Sequence, residues 1–491
     1  MLPDGVEVSN RFGLPRIRFS PPRSRCDMTC RRLAAGPVYS RRSFLSVGAL
    51  APLGITLADL LRAESLGGRG SSRKAVVNIH LDGGPPHLDM IDLKPTAPVE
   101  IRGEFQPIAT KLPGLEVGEL LPKLAAIADR FTFIRSLTDS AGAHDAFQCQ
   151  SGFRAADLQS IGGRPALGCV VAKLAGGRTD SAPPFIDLMQ GRALVRNSAR
   201  PGFLGPTYQA FRPDISHLFA RKLEAGMEGE LARRGANHAV SYLLNETLNS
   251  GRLDDRLALL ERFDGLRRKF ESDEMMQAMD GFQQQAVGIL TSGRLAEAMD
   301  LSKEDRRTAA RYELGLSVGE VGTSDSPSAV RKLLLARRLI EAGVRCVSLS
   351  LSDYDTHSGN FSRLKFLLPT LDHALHAFTT DLAERGMLDD VTIVVWGEFG
   401  RTPKVNSKAG RDHWPAAGMC LLAGGGLRHG QVLGATDRYG AAVTSRPIRY
   451  LDIIATLYHS LGIDPHQATV IDPSGRPQHL AGDGQALREV V

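Results

Sequence analysis

Cysteine is scarce, and no Cys-x-x-Cys spacing occurs. The six are Cys26, Cys30, Cys149, Cys169, Cys346 and Cys420. The absence of Cys-x-x-Cys excludes a zinc ribbon and a thioredoxin-type motif. The four beyond residue 74 are widely spaced, and buried thiols are the expected state for most of them. Long apolar runs are also missing. The stretch from Phe44 to Leu61 is interrupted by Gly48, Pro52, Gly54 and Asp59, which argues against a transmembrane helix. Gly424-Gly425-Gly426 lacks the lysine of a phosphate-binding loop, which argues against nucleotide binding. No internal repeat or low-complexity tract occurs. Excess positive charge is absent where a nucleic-acid module would need it. The formal net charge is +6, but residues 1–74 carry 13 basic against 5 acidic residues, leaving 47 basic and 49 acidic for the rest. No nucleic-acid partner is expected.

What is present begins with an address. Ser40-Arg41-Arg42-Ser43-Phe44-Leu45 matches the twin-arginine export pattern, followed by the weakly apolar run and the polar Arg62-Ala63-Glu64-Ser65. Such signals are read by a receptor and do not anchor the chain. Residues 1–74 are therefore read as leader and linker. The twin-arginine export machinery is the expected partner, and the periplasm, cell envelope or exterior the expected location.

Residues 75–491 read as one α/β domain. The chain has 491 residues, 42% hydrophobic, enough to bury a large core, and domains of this class often use such a length. Strands are expected at 75–81, 131–135, 184–189, 344–351, 391–396 and 419–423. Helices are expected at 119–130, 327–342, 361–385 with Gly386 as cap, and 448–461. Residues 215–312 are charged, rich in Leu and Ala, and helical in period, so a helical insertion is expected there. Near-continuous apolar strands alternating with helices imply a three-layer α/β/α sandwich with a mostly parallel sheet. Ligands then bind at the carboxyl ends of the strands.

The polar clusters follow those strands. Asp82 ends the first. Asp353-Tyr354-Asp355-Thr356-His357 follows the strand at 344–351, and Gly397-Glu398-Phe399-Gly400-Arg401-Thr402-Pro403 the strand at 391–396. Gly410-Arg411-Asp412-His413-Trp414-Pro415 lies in the next loop. Carboxylates with imidazoles suit zinc, manganese or iron, while oxygen-rich sets favour calcium or magnesium. Two such ions would clamp an anionic ester and activate water or a hydroxyl. Arg401 and Arg411 are candidate bidentate partners for the ester's oxygens. His80 is read as a plain core histidine.

Leu81 to Pro95, Asp355-Thr356-His357, Gly397 to Pro403 and Gly410 to Pro415, in this order, resemble domain-of-unknown-function family 1501. Arg252 to Gly315 and Leu433-Gly434-Ala435-Thr436-Asp437 are similar too. The resemblance covers residues 75–491 and implies an alkaline phosphatase-like fold, related to phosphatases, sulfatases and metal-dependent phosphoglycerate mutases. It implies Asp82, Asp355, His357, Glu398 and His413 as ligands of a divalent ion, with Asp353 an alternative beside His357. Asp412 is a partner or further ligand. Phe399 occupies a position usually held by His or Asn, which leaves the second metal a ligand short unless His144 or Asp89 replaces it. Cys149-Gln150-Ser151-Gly152-Phe153-Arg154 does not fit the sulfatase pattern Cys/Ser-x-Pro-x-Arg, because the proline is missing and the spacing differs. Ser140-Ala141-Gly142-Ala143-His144 faintly resembles the mutases' Ser-x-x-Gly-His, which makes Ser140, His144 and Arg401 the expected catalytic set, with Thr138 a second candidate nucleophile and Arg411 a substrate contact. The implied activity is metal-dependent hydrolysis of a phosphate or sulfate ester, on a small molecule or polysaccharide. The alternative is a non-catalytic envelope protein with a degenerate site.

Overall fold

Strand β1, Ala75–Leu81, is buried along its whole length, as a mostly β-branched and apolar run interrupted only by Asn78 and His80 leads one to expect. The computed structural model describes residues 74–175, 182–189, 195, 197–213, 215, 293–315 and 327–491. The twin-arginine leader and most of the expected insertion lie outside these residues. Seven more strands join β1: β2 (Phe131–Thr138), β3 (Phe185–Leu188), β4 (Cys346–Leu351), β5 (Val391–Trp396), β6 (Gly418–Gly424), β7 (Gln431–Leu433) and β8 (Ile448–Arg449). The order is β7-β2-β6-β5-β1-β4-β3, with β8 also paired to β2. All pairings are parallel except those of β6, which runs antiparallel to β5 and β2. The link from β5 to β6, residues 397–417, contains no helix. A parallel return would need a crossover, usually helical.

Alternation along the strands feeds two cores. Ala75, Val77, Ile79 and Leu81 of β1 and Val391, Ile393 and Val395 of β5 share one core with α2 (Arg331–Glu341) and α3 (Asn360–Glu384). Val76, Val394 and Trp396 share the other with α1 (Leu167–Ala175) and α4 (Tyr450–Ser460). The result is the three-layer sandwich expected. Gly386, at φ +67, follows α3, and its N–H donates to Ala383 O at 3.0 Å, the left-handed exit typical of helix ends.

Residues 119–130 differ from expectation. A strand at Glu116–Gly118 precedes a five-residue helix, Pro122–Ala126, and a 3-10 turn, Ala128–Arg130. The short helix is capped from α3, where Asp372 accepts from the backbone N–H of Lys123 (3.0 Å) and Leu124 (2.6 Å). Of the expected insertion, Arg294–Met299 and Arg306–Arg311 are described as helices. Buried Arg337 ties this segment to α2 and α3 through Glu304 (2.7 Å) and Asp381 (3.2 Å). Cys149, Cys169, Cys346 and Cys420 are free and buried. No described helix is long and apolar enough to cross a membrane.

β1, β2, β4 and β5 end at one edge of the sheet, and antiparallel β6 begins there. The loops at 82–86, 139–146, 352–358 and 397–417 therefore meet.

Candidate metal centre

Three imidazoles and one carboxylate converge at that edge. The Nε2 atoms of His144, His357 and His413 lie 3.2, 3.1 and 3.5 Å from carboxylate oxygens of Asp355. His357 and His413 bring their Nε2 atoms within 3.0 Å of each other. Ligands bonded at 2.0–2.1 Å to a tetrahedral ion are about 3.3–3.4 Å apart, the tetrahedron's edge. The observed spacings bracket that value, so the donor set fits a divalent cation. The group is open to solvent, with side-chain exposure of 47% for His357, 28% for His413, 19% for His144 and 15% for Asp355.

His80, Asp82 and Glu398 form a second, enclosed group, with donor atoms within 4.8 Å of one another. His144 stands between the groups. Its Nδ1 is 2.9 Å from Glu398 Oε1 while its Nε2 faces Asp355. Burial alone lowers the His144 pKa, but hydrogen bonds to Asp355 and Glu398, with their charges, outweigh it and raise it to about 9. Burial pushes Asp355 up, yet hydrogen bonds from His144, His413 and Arg401 hold it well below the usual carboxylate range. Glu398 is likewise lowered against its burial, by His144 and His80. Burial lowers His80, more than Glu398 raises it, which favours a neutral imidazole.

Local structure explains how these side chains are held. Gly83 has φ +108, and a Cβ there would strike the backbone nitrogen of Asp355. Only glycine lets the β1 and β4 loops approach so closely. Gly400–Arg401 pairs with His413–Trp414 in a small antiparallel ribbon, setting His413 opposite Arg401. Phe399 packs its ring 4.2 Å from that of His413 and 5.1 Å from that of His144. The aromatic residue is thus a wall of the site, holding one imidazole against another. Asp412 Oδ1 lies 2.6 Å from His357 Nδ1, rather than supporting His413. That contact directs the His357 Nε2 lone pair inward. Asn406 braces the pair, its Nδ2 donating to His357 O at 3.1 Å and reaching Asp412 Oδ2 at 3.3 Å.

Several expected roles change. Arg411 is not a substrate contact: its fully buried guanidinium makes a bidentate pair with Asp89, both bonds 2.8 Å, and donates to Ile101 O, Thr402 O and Pro403 O. Asp89 is therefore not a replacement ligand; its Oδ2 also accepts from Asn360 at 2.8 Å. Arg401 is fully buried too, donating to Gly83 O, Gly84 O and Arg411 O and to Asp355 Oδ1 at 2.6 Å. It orients Asp355 instead of facing a substrate. Ser140 donates its hydroxyl hydrogen to Glu398 O at 2.5 Å, which makes it a loop tie rather than a nucleophile held by a base. Thr138 contacts Ile448 O at 3.3 Å. Asp353, at φ +80, joins neither donor group.

His80 is the residue that sequence reasoning missed. It sits amid buried apolar neighbours and so looks like a core histidine. The available signal was its spacing: His80 in β1 and Asp82, one residue beyond its end, are two apart, the interval at which an extended chain returns to the same face.

Fold and donor set together define a class, an α/β/α sandwich carrying a histidine–carboxylate centre at its strand ends. A family model, "Protein of unknown function (DUF1501)", matches residues 73–491. The chain belongs to the DUF1501 family. No curated protein matches it. Among solved structures, it is similar to Ps i-CgsB (8% identity, 84% of this chain and 74% of that one, TM-score 0.34). It is also similar to the PsFucS1 sulfatase from Pseudoalteromonas sp. (10%, 83% and 70%, TM-score 0.31). A third is the phosphonate monoester hydrolase SpPMH from Silicibacter pomeroyi (12%, 85% and 76%, TM-score 0.31).

Proposed function

We propose that this protein is an exported, metal-dependent hydrolase of a phosphate or sulfate ester, small or polysaccharide-borne. The observation that carries the reading is the convergence of His144, His357, His413 and Asp355 at coordination-type spacings on a solvent-reachable edge. A divalent ion bound there would withdraw charge from an anionic ester and make water an effective nucleophile near neutral pH. His357 is kept ligand-competent by Asp412, and Asp355 is aimed by Arg401. Because Ser140 is committed to a carbonyl, the reading favours direct attack by water over a serine intermediate. Phe399 gives the alternative, a degenerate binding protein, less support than it had, since its ring packs against two of the imidazoles. The twin-arginine motif supports export.

The test is a screen of phosphate monoesters, phosphate diesters and sulfate esters with purified protein, with and without zinc, manganese, magnesium or calcium. Turnover is expected only with metal and is expected to disappear in His413→Ala. Turnover unchanged by chelator or by that substitution would overturn the reading.

A further inference from the structure

On the His357 side of the open group lies a strip of positive charge on firmly held backbone. Asn406, whose Nδ2 donates to His357 O, also accepts from the backbone N–H of Lys408 and Gly410, both at 2.9 Å. The same turn is fastened to the start of α3, where the N–H groups of Gly359 and Asn360 donate to Lys408 O (3.0 Å) and Ala409 O (2.8 Å). Gly410 lies so close to His357 that a Cβ there would strike its carbonyl. Ala409 has φ +54, a conformation a non-glycine residue keeps only where its surroundings impose it. Val405 N–H donates to Glu100 O at 2.8 Å, joining this loop to the short helix Val99–Arg102. Gly103 in turn abuts the ring of Phe361, two residues before Arg363.

Four cations stand on this backbone. Arg102, Lys404 and Lys408 are exposed, and Arg363 is half-buried. The exposed acids nearby are largely taken, Glu104 by Lys365 and Asp412 by His357. Among the described residues no carboxylate pairs with any of the four, and Glu100 is also unpaired. We propose that this strip docks the anionic polymer that carries the ester, an acidic polysaccharide with charged groups repeated along its chain, and leads it to His357. The inference deepens the hydrolase reading and rests on it. A small ester needs only the open group. Four cations beside that group, in a domain with 47 basic and 49 acidic residues, suit a chain whose charge extends past the reacting ester. Glu100 among them would repel a phosphodiester chain charged at every unit. It can accept from the hydroxyls that a polysaccharide carries between its charged groups. Residues 96–104 and 402–412 expose no aromatic ring on which nucleic-acid bases could stack.

The probe is fluorescently labelled dextran sulfate, titrated with the full chain by anisotropy at two salt concentrations. Each cation that displaces a counterion adds about 0.7–0.9 to the slope of log affinity against log salt. Four such contacts predict an affinity about 50–150-fold weaker at about 200 mM salt than at about 50 mM. Lys404→Gln combined with Lys408→Gln is expected to cut that ratio to about 7–12-fold. Arg102→Gln with Arg363→Gln reads the other half of the strip and is expected to do the same. The control is Arg306→Gln with Arg307→Gln. Both arginines are exposed on the helix Arg306–Arg311, whose Arg311 pairs with Glu384 at the far end of α3, and the ratio is expected to stay at the parent value. A ratio unchanged in both strip variants, or an equal fall in the control, would overturn the proposal. So would uncharged dextran, or an oligonucleotide of equal charge, bound as tightly as dextran sulfate. Turnover is not read. A protein that hydrolyses small esters yet fails these titrations sinks this inference alone, and one that binds without turnover sinks the hydrolase reading.

Discussion

The Asp89–Arg411 pair offers a sharp test of how the site's loops are held, because its two side chains have no exposed surface. Arg411→Met keeps the aliphatic stem but leaves the Asp89 charge buried with, among the described residues, the Asn360 amide donating to it, and leaves the carbonyls of Ile101, Thr402 and Pro403 without this donor. Removing one partner of a buried ion pair costs about 3–5 kcal/mol. Asp89→Leu is expected to cost about as much, since the guanidinium is then the stranded charge. The double variant is expected to be more stable than the sum of the two losses by about 2 kcal/mol or more, because neither charge remains. The assay is urea unfolding at fixed pH and metal concentration, read by tryptophan fluorescence, with midpoints compared at unchanged slope. Single-variant losses below about 1 kcal/mol, or strictly additive losses, would refute the reasoning. A stable Arg411→Met protein whose KM rises for an anionic ester would return Arg411 to substrate binding.

Three further outcomes follow from the same geometry. Asp412→Ala, which removes the partner 2.6 Å from His357 Nδ1, is expected to weaken zinc binding about 10–100-fold in a competing-chelator titration. Asp412→Asn, which keeps an acceptor there, should recover part of that loss. Gly83→Ala forces a side chain onto a residue at φ +108 and is expected to cost about 1–3 kcal/mol in urea unfolding, with a further loss of zinc affinity as Asp355 is displaced. Phe399→Ala empties the space beside His413 and is expected to cost about 3–5 kcal/mol by the same unfolding assay. Unchanged chelator titrations for Asp412→Ala, or unchanged midpoints for the other two, would contradict these assignments.

The layers of the fold were legible because β1 and β5 bury both faces, so Ala75–Leu81 and Val391–Trp396 read as predominantly apolar runs, broken only by Asn78, His80 and Thr392. Donors placed just beyond strand ends, Asp82, Asp355 and Glu398, were legible for the same reason: a parallel sheet gathers those ends. The direction of β6 required noticing that 397–417 has no crossover helix. The partnership of Arg411 with Asp89 links residues 322 apart in sequence, and no local pattern encodes it. A buried arginine and a substrate-binding arginine look alike in a Gly-Arg-Asp-His string. His80 escaped notice for the opposite reason. Its neighbours signal core, and only strand periodicity applied together with Asp82 marks it as facing the site.

The central claim is that side chains from three separated loops hold an ion. It is tested most directly by anomalous diffraction from crystals grown with zinc. A peak within bonding distance of the Nε2 atoms of His144, His357 and His413 and a carboxylate oxygen of Asp355 is the expected result. Those four side chains turned apart, with no anomalous peak among them, would contradict it.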